Sequence, residues 1–223
     1  MSDAPNKPKI ALIVSGGGAR AAYQVGVLKA VADILPADAP NPFQIICGTS
    51  AGALNAAALA MYAHNFRQAV RRLLRVWQNF HVDHVFRADT LGILANSARW
   101  WAALLFGGLG RNNPSALFDR RPLADLLQRY LPFEKIQESI DAGHLYALGI
   151  TASGYGSGES VTFFQAADGV ADWKRARRVG CRTTINRDHL LASSAIPFVF
   201  EAVKIHREYF GDGSMRQFAP LSP

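Results

Sequence analysis

Cysteine is nearly absent: Cys47 and Cys181 are the whole complement of a 223-residue chain. Two thiols make no disulfide framework. Cys47 stands in an apolar stretch that reads as a buried strand, so an inert core thiol is expected there. Charge is sparse as well, at 18% of residues against 49% hydrophobic, a balance that excludes a disordered chain. Runs that could cross a bilayer are missing. Residues 39–66 carry no formal charge, but Pro40, Pro42, Gly48, Gly52 and Asn55 interrupt them, and Trp100 to Gly110 holds three glycines in 11 residues. Neither supplies the roughly 20 apolar residues of a spanning helix. The start, MSDAPNKPK, has no apolar stretch and is no standard secretory signal. The expected location is the cytoplasm, with peripheral membrane association. No repeat or low-complexity tract occurs, and no ligand cluster has metal spacing, so neither metal nor other cofactor is expected.

What is present reads as one domain over residues 9–223 behind a short tail, 1–8. The net charge of +7 brings anionic partners such as phospholipid surfaces or nucleic acid into consideration and says nothing about fold. Lys9 to Val14 is a continuous apolar run, as in a strand covered on both faces. Glycines break it, and a helical pattern with Tyr23, Val27, Leu28 and Val31 follows. Phe43 to Cys47 is a second strand, with a helix over 51–63 behind it. Strand, glycine turn and helix, twice over, predict parallel pairing. Further helices are expected over 67–80, 122–130 and 188–194, and strands over 144–151, 161–165 and 203–206.

Two glycine motifs carry chemistry. Ser15-Gly16-Gly17-Gly18-Ala19-Arg20-Ala21 fits a loose dinucleotide fingerprint, but no acid ends the second strand to hold a ribose. Ala21 and Ala22 stand where a phosphate-binding loop needs Gly-Lys. The same consecutive glycines expose backbone N–H groups that suit an oxyanion. A nucleophile belongs beside them. Gly48-Thr49-Ser50-Ala51-Gly52 is a G-x-S-x-G elbow at a strand-to-helix junction, with Gly48 and Gly52 leaving room for the turn and Ser50 lifted to the sheet edge.

The base is harder to find. His64, His81, His84, His144, His189 and His206 all lack a turn-framed setting, and each reads as a surface or packing residue. Asp212, between Gly211 and Gly213 after Tyr209-Phe210, reads on its own as a turn.

Together, Gly16 to Arg20, Gly48 to Gly52 and Asp212-Gly213 resemble the three blocks of the patatin-like phospholipase family. Ala192-Ser193-Ser194-Ala195-Ile196-Pro197 also resembles that family's stretch ahead of its aspartate. The resemblance runs from about Lys9 to Pro220. It implies a three-layer α/β/α fold with a mostly parallel central sheet. It also implies a phospholipase A or lysophospholipase type of acyl hydrolase, with Ser50 as nucleophile, Asp212 as base and Gly16, Gly17 and Gly18 as oxyanion hole. Arg20 matches an arginine that steadies the loop or meets substrate phosphate, the other reading being a helix-start salt bridge. Ser15, Ala21 and Ser214 depart mildly from the family pattern. Family domains continue past the Pro-Leu where this chain nears its end, which implies a C-terminally truncated domain or one completed by a partner. A catalytically silent lipid-binding module is the alternative.

Membrane contact has three candidate regions: the stripe Arg67, Arg71, Arg75; the cluster Lys174, Arg175, Arg177, Arg178, Arg182; and Trp100-Trp101 beside Leu104, Leu105 and Phe106. Solvated faces and core packing are the plainer readings of all three.

Overall fold

The computed structural model describes residues 9–79 and 121–221. His81, His84, the Trp100-Trp101 region and the tail 1–8 lie outside them. The architecture is mixed α/β, with a central, mostly parallel sheet flanked by helices. β1 (Ala11–Val14), β2 (Ile45–Thr49) and β3 (Ala147–Gly154) run parallel in that order. β4 (Ser160–Ala166) returns antiparallel on the far side of β3. β5 (Trp173–Arg175) and β6 (Arg178–Arg182) form an edge hairpin, with β6 parallel to β4. β7 (Val203–Ile205) and β8 (Glu208–Asp212) form a second hairpin, and β8 joins β3.

Each early crossover is a helix. α1 (Ala21–Ile34) joins β1 to β2, and α2 (Ala51–Met61) follows β2 directly. α1 buries Val25, Leu28 and Ala32 and packs Val31 against the core, while Tyr23 and Val27 are exposed, so the apolar spacing marks the helix and part of its inner face. α2 is alanine-rich and buried on nearly every side, which lets it lie close to the sheet. Its one internal amide, Asn55, is fully satisfied: Nδ2 donates to Ala21 O and Gln24 Oε1, and Oδ1 accepts from Trp77 Nε1. That residue ties α2 to α1 and to α3 (Phe66–Gln78).

The three arginines of the α3 stripe are not equivalent. Arg67 is a structural clamp: its guanidinium donates to the carbonyls of Ala32 and Leu35, the open C-terminal end of α1 ahead of Pro36. Arg182 is engaged in the same manner, by the carbonyls of Ala166, Ala167 and Val170. The remaining helices are α4 (Arg121–Tyr130), α5 (Glu134–Asp141) and α6 (Arg187–Ser193). α5 and the β5–β6 hairpin have no counterpart in the sequence reading. Among the described residues no helix is long and apolar enough to cross a membrane.

Candidate active site

β2 runs through Gly48 and Thr49, two residues past its expected end, and stops at Ser50. Ser50 then turns with φ 55 and ψ −130, a conformation costing a non-glycine residue on the order of 1–3 kcal/mol. α2 begins at the next residue, so the turn has no slack. Gly52 must be glycine, because a Cβ there would strike the carbonyl oxygens of Val14 and Ser15. At Gly48 a Cβ would come within 2.6 Å of the Gly52 carbonyl oxygen. β1, β2 and α2 are therefore pressed together at the point where the serine is raised.

The Ser50 hydroxyl donates to Asp212 Oδ2 at 2.6 Å. Both residues are buried, at 6% and 4% exposure, so the bond lies out of bulk water. The other carboxylate oxygen, Oδ1, accepts the backbone N–H of Ser214 at 2.8 Å. Asp212 is the last residue of β8 and also caps the 3-10 turn Gly213–Met215 that follows it. Its own N–H donates to Ala195 O at 2.8 Å.

Ser193 is a contact the sequence did not expose. Its fully buried hydroxyl accepts the Ser50 N–H at 2.9 Å and donates to Thr151 O at 2.6 Å. The stretch from Ser193 to Ala195 thus holds Ser50 through one atom and Asp212 through another. Only its place in the 192–197 block pointed to it; nothing in its local composition tells a buried bridge from a surface serine.

The glycine loop faces this pair. Gly17 and Gly18 adopt φ 150 and 55, both left-handed values that glycine accepts without a Cβ penalty. Gly16 donates its N–H to Phe218 O at 3.3 Å, whereas the N–H groups of Gly17 and Gly18 have no acceptor among the described residues. Gln24, one turn into α1, pins the entry to the loop by donating to Ser15 O at 2.8 Å. Arg20 is exposed at the start of α1, and among the described residues no carboxylate pairs with it.

No described histidine bonds to the Ser50 hydroxyl. His189 is buried against the Phe163 ring, and burial pushes its imidazole down to about 4. Its Nδ1 accepts the Asn186 N–H as part of a capping box on α6, so it is neutral and occupied. Cys47 is a buried thiol that desolvation pushes up to about 12, an unreactive group as expected. Among the described residues no cluster of His, Cys, Asp or Glu has the grouping to hold a metal.

A hydroxyl bonded to a carboxylate, beside unpaired backbone N–H groups and a helix N-terminus, is an arrangement that acyl transfer can use. A family model described as patatin-like phospholipase matches residues 12–223. The curated proteins contain no match.

Proposed function

The chain belongs to the patatin-like phospholipase family and is a lipid acyl hydrolase, and from that premise we propose that Ser50 and Asp212 are its catalytic dyad. The observation that carries the proposal is the buried 2.6 Å hydrogen bond from Ser50 Oγ to Asp212 Oδ2.

In the acylation step Ser50 Oγ attacks the carbonyl carbon of a fatty-acyl ester, and its proton passes to Asp212. The carbonyl oxygen gains the negative charge and is held by the N–H groups of Gly17 and Gly18, aided by the positive end of α2. Gly16 serves the site through its missing side chain, since its N–H meets Phe218 O. Collapse of the tetrahedral species breaks the ester bond, and the departing alkoxide takes the proton from Asp212. Water then attacks the acyl-serine. Asp212 accepts a proton from that water and returns it to Ser50 as the fatty acid leaves, so the enzyme is regenerated.

The same premise supports a phospholipase A or lysophospholipase type of substrate. Arg20 suits a substrate phosphate: it is exposed beside the glycine loop and free of a described carboxylate. A panel of phospholipids and neutral glycerides, with released fatty acid measured by mass spectrometry, tests the reaction and its substrate class together. A fluorophosphonate probe should label Ser50, and Ser50→Ala should abolish both label and product. Lipid binding without product would leave only a silent binding module, and label persisting on Ser193 or Ser194 would remove Ser50 from its role.

A further inference from the structure

Register places two basic hairpin tips on the edge of the sheet that carries the dyad. β3 rises to this edge, where Ser153 pairs with Ser160, and Ser160 pairs in turn with Arg178. The turn between β5 and β6 therefore lies at the dyad's level or beyond it, bearing Arg175, Arg177 and Arg178, all exposed. β8 descends from the same edge, pairing Phe210 with Gly154. The β7–β8 turn thus stands beyond the sheet, bearing exposed Lys204, His206 and Arg207. Between β8 and β6 lie β3 and β4, so at strand spacing the tips are separated laterally by on the order of 15 Å. That is the scale of a few lipid headgroups.

The exposed basic groups at the two tips outnumber the acids beside them. Glu159 pairs with Lys174 at 3.5 Å, and Glu208 Oε1 accepts the Ser157 N–H. Exposed apolar residues stand on the segments that hold the dyad and the glycine loop. Met215 sits in the turn after Asp212 and is 55% exposed, and Phe218, on the glycine loop through Gly16, is 58% exposed. Ile196, beside the Ala195 carbonyl that holds Asp212, is 42% exposed. The α3 stripe differs. Arg67 clamps the far end of α1, away from the glycine loop where that helix starts.

We infer that this edge is a docking face for an anionic phospholipid surface, with the two basic hairpin tips meeting headgroups and Met215, Phe218 and Ile196 seating among acyl chains at the dyad. The inference rests on the lipid-hydrolase reading above. Charge complementarity selects the partner, and the apolar rim favours a bilayer over a nucleic acid, which offers no hydrocarbon to such side chains.

The test uses the full chain carrying Ser50→Ala, so that vesicles stay intact, and measures co-sedimentation with phosphatidylcholine vesicles with and without phosphatidylglycerol. Binding should require the anionic lipid and weaken as salt rises. Two paired variants, Arg175→Glu with Arg177→Asn and Lys204→Glu with Arg207→Glu, should each bind roughly tenfold or more weakly, since each basic group near an anionic surface contributes a factor of about five. Asn is used at position 177 because its φ is 56 and Asn tolerates that region. Arg71→Glu with Arg75→Glu on α3 should bind as the parent does. Equal binding to neutral vesicles, parent-like binding by both hairpin variants, an equal loss in the α3 variant, or tighter binding to duplex DNA would each overturn the inference. Turnover of a soluble short-chain ester, measured with Ser50 present, is read separately. It should be unchanged in the hairpin variants, and its absence from the parent protein would count against the hydrolase reading alone.

Discussion

Thr49 and Asp212 occupy consecutive positions on one edge of β3, paired with Thr151 and Ala152 respectively. β2 climbs that edge and β8 descends it, so the two strands meet end to end. Ser50, the first residue past β2, therefore faces the carboxylate that terminates β8. No loop closure is needed to bring the pair together. The junction is held from the side by Ser193 and Ala195, which bond to Ser50 N–H and Asp212 N–H.

If Asp212 is the base, Asp212→Asn should lower turnover by on the order of 10²–10⁴ while leaving the fold intact. Alanine at His64, His144, His189 or His206 should leave most of the turnover per folded molecule. Steady-state kinetics beside circular dichroism decides this. A folded histidine variant as inactive as Ser50→Ala would replace the dyad with a triad.

Ser193→Ala should affect both stability and rate. It leaves the Ser50 N–H unpaired in a buried site, a loss of about 1–3 kcal/mol, and removes one donor from the Thr151 carbonyl. The strained Ser50 turn loses a restraint at the same time, so kcat should fall roughly tenfold or more with KM little changed. An unchanged kcat per folded molecule would confine Ser193 to stability.

Ser214→Ala should be tolerated or stabilising. The Ser214 hydroxyl is buried with no hydrogen-bond partner among the described residues, and it abuts Gly16 where a Cβ would project. Its backbone N–H, which serves Asp212, survives the substitution. Removing an unpaired buried hydroxyl is expected to raise stability by up to about 1 kcal/mol. A lower melting temperature would show that the hydroxyl has a partner in solution.

His189 makes stability depend on acid. Its pKa is lowered from 6.5 to about 4 in the folded protein, so between those values the unfolded chain binds the extra proton. The stability contribution is complete above the unfolded value and is lost as pH falls toward 4, by on the order of 3 kcal/mol in all. Urea unfolding across this range should show the decline. His189→Gln keeps a side chain suited to the third position of a capping box but does not titrate, and it should flatten the curve. An equally steep decline in that variant would assign the effect to other groups.

What the chain determines alone is local. Glycine at 48 and 52 follows from steric exclusion at a tight junction, and consecutive glycines at 17 and 18 from left-handed backbone. The contact at Gly48 and the left-handed backbone act over a few residues and can be read without the fold, whereas Gly52 is kept bare by the carbonyls of Val14 and Ser15 at the end of β1, a distant segment. Apolar runs and helical spacing also marked β1, β2, α1 and α2, since burial imposes its period on nearby positions. The same signals missed α5 and the β5–β6 hairpin, which are short and mostly polar. Asp212 looked like a turn residue because a Gly-Asp-Gly triplet says nothing about a distant strand that pairs with it; only resemblance to the patatin-like family singled it out. Its meeting with Ser50, 162 residues away, and the bridge through Ser193 were decided by the tertiary structure. The physical reason is register: hydrogen bonding along β3 fixes where β2 and β8 end, and that relation belongs to no segment of the chain by itself.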